Sequence, residues 1–399
     1  MSVKALNIQE PFKVIFVLVN HPYLGFLIEL HAVQMMPNGN FSMASQKIHT
    51  VSANHFNLGE DEKKILKTID ETDPEYLIKK FVKSNKPIRV NDYFAKHYNK
   101  EIHEKIRPFI EKRIIKILDE LSESELYLAK DKHVTHAKIN LNKEKAKILF
   151  HFRRNEEGTR YFATVKLGEQ KINFNQNNSL LIVQEPAWVL SENQLFTFEK
   201  DTDGNKIKPF LNKRFIHVEP KNEKMWFEKF VSPLIEQYDV FAEGFEIRKE
   251  KYIAKPIIKL NHFGDHSICL SLYFQYGPYE FIYHSVKMVS VKLSEKNNEY
   301  VFHRVKRSRI WEDNIKNFLE QKGLKLLEGS LFVSNQNSEY GVLDCLNEFH
   351  DDFIEKGFII DQTLLNKTFL FEKNSISFQI SKEGDWFDLN AIVKFGQFT

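Results

Sequence analysis

Ile148-Leu149-Phe150-His151-Phe152 and Tyr161-Phe162-Ala163-Thr164-Val165 stand on either side of Arg153-Arg154-Asn155-Glu156-Glu157-Gly158. Bulky apolar residues recur at every second position in both flanks, and the polar segment between them ends on glycine. That combination predicts a β-hairpin with Arg153 and Arg154 at its turn. It lies just beyond a change of period near residue 137. Before that point Ile106, Phe109, Ile110, Ile114, Ile117, Leu118 and Leu121 recur at three- and four-residue spacing, the stripe of an amphipathic helix. Helices and strands therefore come in blocks. The expected class is α+β, with antiparallel sheets, flanking helices and more than one domain.

Toward the N-terminus, residues 12–19, 23–34 and 41–50 read as strands joined by Asn20-His21-Pro22 and Pro37-Asn38-Gly39-Asn40. Gly59-Glu60-Asp61-Glu62 opens a helix carrying Ile65, Leu66 and Ile69, and Pro74 starts another through Phe81. The helix that ends near Leu121 has Pro108 in its first turn or at a kink. Its other face, with Lys112, Arg113, Lys116, Asp119 and Glu120, reads as a solvated surface.

Toward the C-terminus, strands are expected at 172–174, 180–184, 187–190, 195–199 and 215–218, with a turn at Asp203-Gly204. A helix over 222–238 separates them from a second alternating block, 240–305. Helices over 306–321 and 341–356 precede strands at 358–361, 368–371, 375–380 and 386–395. The expected domains are 1–125, 126–220 and 221–399. In the last strand Phe387, Leu389, Ala391, Val393 and Phe395 share one face, the pattern of a half-buried strand. No turn or cap follows it, so the chain is expected to continue past Thr399.

The chain is 42% hydrophobic and 13% aromatic, enough for packed cores and not a disordered composition. With 57 basic against 54 acidic side chains the net charge is only +3, so any basic face must be local. Cys269 and Cys345 lie far apart and offer neither a zinc knuckle nor a disulfide framework. The apolar run Val14–Val19 is too short for a signal-peptide core or a membrane span. These features predict a soluble cytoplasmic protein with no membrane partner.

Several motifs bear on chemistry. None of the 15 glycines is followed by lysine, which excludes a phosphate-cradling P-loop and with it a P-loop ATPase core. Asp70-Glu71-Thr72-Asp73 spells a DExD pattern but follows a helix, not a buried strand, and reads as a helix end and turn. His262-Phe263-Gly264-Asp265-His266 is either a metal corner or a polar hairpin turn. His350-Asp351-Asp352 reads as a helix surface, and Asp385 and Asp388 fall on opposite faces of one strand. No catalytic residue emerges. The densest charge is His303-Arg304-Val305-Lys306-Arg307-Ser308-Arg309, leading into a helix with Trp311, Ile315, Phe318 and Leu319 on one stripe. Arg304, Lys306, Arg307 and Arg309, with Arg153 and Arg154, are the candidate phosphate-binding residues. Lys79, Lys80 and Lys83 form a lesser cluster.

Asp385-Trp386-Phe387-Asp388-Leu389-Asn390 with Val393-Lys394-Phe395-Gly396 resembles a segment upstream of the motor in bacterial Snf2/Swi2-type helicase-like proteins. Pro186-Ala187-Trp188-Val189-Leu190 with Gln194-Leu195-Phe196, and the passage from Val301 to Arg307, resemble elements of the same accessory region. The opening through Pro22-Tyr23-Leu24-Gly25-Phe26-Leu27 resembles the start of such proteins from Bacteroidetes-like bacteria. The resemblance implies a non-catalytic accessory module. Its partners would be duplex DNA and a DNA-dependent motor in cis, and ATP and Mg would belong to that motor, with no cofactor in this chain. Two other expectations stand beside it. One is a stand-alone protein-interaction scaffold; the other is a metal-dependent enzyme using His262, Asp265 and His266.

Overall fold

A computed structural model describes residues 6–82, 89–121, 125–130, 133–174, 178–264, 267–336, 338–371, 374–383 and 386–395. Two compact units divide the chain. Unit 1 comprises residues 1–219 and 239–241, and unit 2 comprises 220–238 and 242–399.

Unit 1 opens with β1 (Phe12–His21), β2 (Gly25–Met35) and β3 (Phe41–Lys47). Helices α1 (Glu60–Asp70), α2 (Pro74–Phe81), α3 (Val90–His97) and α4 (Lys100–Glu120) follow. Next come β4 (Leu126–Lys130), β5 (His133–Leu141), β6 (Lys147–Asn155), β7 (Gly158–Leu167) and β8 (Gln170–Ile172). β9 (Leu180–Val183), β10 (Trp188–Ser191), β11 (Gln194–Phe196), α5 (Gly204–Ile207) and β12 (Ile216–Val218) complete the run.

The large sheet has the order β3-β2-β1-β4-β5-β11-β10-β9, so it draws strands from both sides of residue 125. β1 is an interior strand, between β2 and β4. Phe16 and Leu18 face a core built with Ile65, Leu66, Ile110, Ile114 and Ile117, while Ile15 and Val17 pack with Val33, Phe41 and Tyr127 on the opposite face. Burial on both faces explains why Val14–Val19 is apolar without alternation. The antiparallel expectation holds for most ladders, but β1–β4 and β5–β11 are parallel, as are two ladders in unit 2, so the sheets are mixed.

A second sheet, β12-β7-β6-β13 with β8 beside β7, takes its edge from β13 (Val240–Glu243). The β6–β7 hairpin forms as the alternation predicts, with Asn155 opposite Gly158. Glu156 and Glu157 make the turn. Arg153 and Arg154 are therefore strand residues, not turn residues as expected.

Unit 2 begins with α6 (Pro220–Trp226), a π-helical turn over Phe227–Val231 and α7 (Ser232–Gln237). β14 (Glu246–Glu250), β15 (Ala254–Phe263), β16 (Ser267–Tyr276), β17 (Tyr279–Ile282), β18 (Val289–Lys296) and β19 (Glu299–Lys306) follow. The rest is α8 (Arg309–Gln321), β20 (Leu324–Glu328), β21 (Leu331–Ser334), α9 (Gly341–Glu348), α10 (His350–Glu355), β22 (Ile359–Asp361), β23 (Asn374–Glu383) and β24 (Trp386–Phe395). The sheet β14-β19-β18 packs Phe302 and Tyr300 on Phe227. The sheet β20-β21-β16-β15-β22 forms a core with Ile315, Leu319, Leu346 and Phe353 from the helices. Among the described residues β23 and β24 pair only with each other.

Several expectations are corrected. Pro108 lies in the interior of α4, not in its first turn. Asp203 does not turn the chain; its carboxylate accepts the Asn205 N–H at 2.8 Å and caps α5. The helix expected over 306–321 starts at Arg309, and that over 341–356 breaks at Phe349. Residues 368–371 form no strand. Gln362 holds Phe369 instead, donating to its carbonyl at 2.8 Å and accepting its N–H at 2.7 Å. Leu389 is 63% exposed, so the last strand is not half-buried at that position. Among the described residues no helix is long and apolar enough to cross a membrane.

Candidate nucleic-acid interface

The alternation of β6 and β7 sends Ile148, Phe150, Phe152, Tyr161 and Val165 to one face. There the Phe152 and Tyr161 rings stack at 4.9 Å, and Phe210 meets Tyr161 edge-on at 4.9 Å. The other face is the notable one. Cross-strand partners there are Lys147 with Lys166, Leu149 with Thr164, His151 with Phe162, and Arg153 with Arg160. β8 adds Lys171 opposite Lys166, and β12 adds His217 opposite Arg160.

Aromatic rings cross this face between its two basic rows. His151 and Phe162 stack at 4.8 Å with planes 3° apart, and Phe241 from β13 lies 5.7 Å from His151. Ile216 pairs with Tyr161, so Phe215, one residue earlier, comes level with Phe162 on the other side. His151 Nε2 lies 2.8 Å from the Thr164 hydroxyl, which fixes the imidazole. The arginines interleave with the rings: Arg153 lies over Phe162 at 5.5 Å and Arg160 over Phe215 at 5.4 Å. A cleft of about 210 Å³ beside Phe162 is lined by Lys171, Phe174, Phe210, Lys213 and Arg214. At the opposite end a cavity of about 430 Å³ is lined by Lys147, Lys166, Lys200, Glu199 and Asp239. Ion pairs of Arg160 with Glu157 at 3.6 Å and Lys147 with Glu199 at 3.4 Å are solvent-exposed and weakly held.

Arg153 thus joins a cationic face, and Arg154, one residue on, is placed by the alternation on the opposite one. Arg160, Lys147, Lys166 and Lys171 stand singly in the sequence, outside any contiguous basic run. Their signal was the alternation itself, which fixes what the outward positions of the hairpin carry. Phe215 and Phe241 lay beyond reach, because they join through pairings distant in sequence.

The 304–309 cluster is divided by the structure. Arg307 is buried with Glu312, both side chains at 0% exposure, and Arg307 Nε donates to the two carboxylate oxygens at 2.9 and 3.0 Å. Arg307 also donates to the carbonyls of Ile282, Ser285 and Lys287, and its guanidinium lies 5.1 Å from the centre of the Phe281 ring. Tyr276 donates to Glu312 at 2.8 Å; burial and that carboxylate push its phenol pKa well above the usual range. Arg309 donates to the carbonyls of Tyr283 and Ser285, and Arg304 to that of Ile235 at 3.4 Å. Lys306 is the exposed cation of the group. The expectation that Arg307 meets a phosphate is therefore corrected: its charge is spent inside unit 2, where it fastens the 282–287 segment to the start of α8.

Asp70 closes α1, Asp73 caps α2 by accepting the Glu75 N–H at 3.0 Å, and Asp73 also pairs with Lys47 at 3.0 Å. The DExD pattern is a helix junction. His262 and Phe263 sit at the end of β15, paired with Ile268 and Ser267, as the polar-turn reading requires. Asp265, His266, Asp385 and Lys83 lie outside the described residues. Among those described, no three His, Cys, Asp or Glu side chains come together as metal ligands would. Comparison with protein-family models, with curated proteins and with solved structures returns no match.

Proposed function

We propose that this chain is a non-catalytic nucleic-acid-binding module that uses the outer face of the β12-β7-β6-β13 sheet. One observation carries the reading: Arg153, Arg160, Lys147, Lys166 and Lys171 flank a row of aromatic rings on a single surface. Fixed cations on one face neutralise backbone phosphates and release counterions. The resemblance of its sequence segments to Snf2/Swi2-type accessory regions supports a role beside a DNA-dependent motor in cis, in the cytoplasm or on the nucleoid. Binding of the purified chain to labelled oligonucleotides, followed by fluorescence anisotropy, is expected to weaken as salt rises. It is expected to weaken further in the Arg153→Gln/Arg160→Gln/Lys166→Gln variant. Binding that ignores both salt and these substitutions would sink the proposal.

A second reading, a protein-interaction scaffold, draws on the β23–β24 ribbon. Phe378 and Ile380 are 62% and 69% exposed, and Ile380 pairs with the exposed Leu389. Exposed apolar ribbon faces are common partner surfaces.

A further inference from the structure

We infer that the nucleic acid held on this face is single-stranded, its bases stacked against the exposed end rings of the aromatic row, Phe241 and Phe215. The inference rests on the proposed function and concerns what the rings add to the cations. Phosphate binding alone needs only the charges. Rings contribute when a base face is free to lie on them, and a duplex keeps its base faces stacked inside.

Three observations support the assignment. The row crosses the sheet with one ring from each of three strands, β13, β6 and β7, and a fourth from the residue before β12. At about 4.8 Å between strands it runs about 14 Å, and because His151 and Phe162 stack on one another the two end rings are left to meet bases. Next, the two rings at its ends, Phe241 and Phe215, are each 45% exposed although apolar side chains of that size are ordinarily buried. Finally, Arg153 and Arg160 lie over ring faces as planar cations, the arrangement in which a guanidinium accompanies a stacked base while its N–H groups face a phosphate. DNA and RNA single strands share this chemistry.

The test uses the full chain with oligothymidylate, oligouridylate and a DNA duplex of equal length, titrated at several salt concentrations. The variants are Phe215→Leu/Phe241→Leu, which alters two exposed rings and no charge, and Arg153→Gln/Arg160→Gln. Circular dichroism and thermal melting confirm that both fold. The Phe pair is expected to weaken single-strand binding about tenfold or more, with the salt slope and the duplex affinity unchanged. Such a loss on either single strand supports the inference, and the tighter ligand assigns DNA or RNA. The Arg pair is expected to lower the slope by about 1.4, at about 0.7 per phosphate contact on a single strand. If the Arg pair weakens every ligand while the Phe pair changes none, the face holds phosphates only. The inference then fails and the proposed function stands. Should neither variant alter binding, both fail.

Discussion

Arg307 and Glu312 face one another without solvent, and that isolation sets their energetics. Removing one member of a buried ion pair strands the other charge, which lowers stability by about 3–5 kcal/mol, whereas an apolar pair of similar volume is far milder. Glu312→Gln is accordingly expected to lower the urea unfolding free energy of unit 2 by that amount, and Arg307→Met/Glu312→Leu by clearly less. Equal losses in the two variants would contradict a stranded charge. Glu29 offers a pH test. Burial pushes its carboxyl upward, but the His31 hydrogen bond at 2.8 Å and the Lys47 charge at 3.0 Å outweigh it and hold the pKa at about 2. The folded value lies below the ordinary 4.5. Its contribution is thus complete above about pH 4.5 and is lost as pH falls toward about 2. Acid unfolding followed by circular dichroism should fall more steeply over that window in the wild type than in Glu29→Gln; identical curves would refute the assignment. Composition at 304–309 shows charge and nothing of its burial, because the carbonyls that accept from Arg307 and Arg309 come from 282–287.

The β6–β7 hairpin was legible because its alternation and its glycine agree on one answer. Gly158 also does something the sequence hides. Its φ is +126°, and a Cβ there would lie 2.3 Å from the Val218 carbonyl oxygen, so β12 closes against bare backbone. Gly158→Ala is expected to destabilise unit 1 by about 2 kcal/mol, and to weaken oligonucleotide binding by loosening the strand that follows Phe215. Thermal melting and anisotropy check both effects, and a fully stable, fully binding variant would contradict the close approach. Elements that escaped the sequence reading are short. α3 has about two turns, with Tyr93 and Phe94 as its buried residues, too few to establish a period. β4 is five residues that pair in parallel with β1. Side-chain bonding also imitated regular structure, as where Gln362 holds Phe369 in place of a ladder.

At the scale of the whole molecule, the α+β class followed from the blocks of helical and strand period, and the structure bears it out with mixed sheets. Domain limits were less accessible, since one sheet draws strands from residues 12–21 and 188–196 alike. The candidate surface was half legible. Arg153 stands out in a basic dipeptide, while its partners come from positions near 160, 215 and 241 that only the fold assembles. The central claim is that this assembled face of unit 1, and not the 304–309 cluster, carries nucleic-acid binding. The direct measurement compares the salt dependence of oligothymidylate binding in the wild type, in Arg153→Gln/Arg160→Gln/Lys166→Gln, and in Arg304→Gln/Lys306→Gln. The expected result is a slope reduced by about 2 in the first variant, at about 0.7 per contact, and a wild-type slope in the second. A full slope in the first and a reduced one in the second would contradict it.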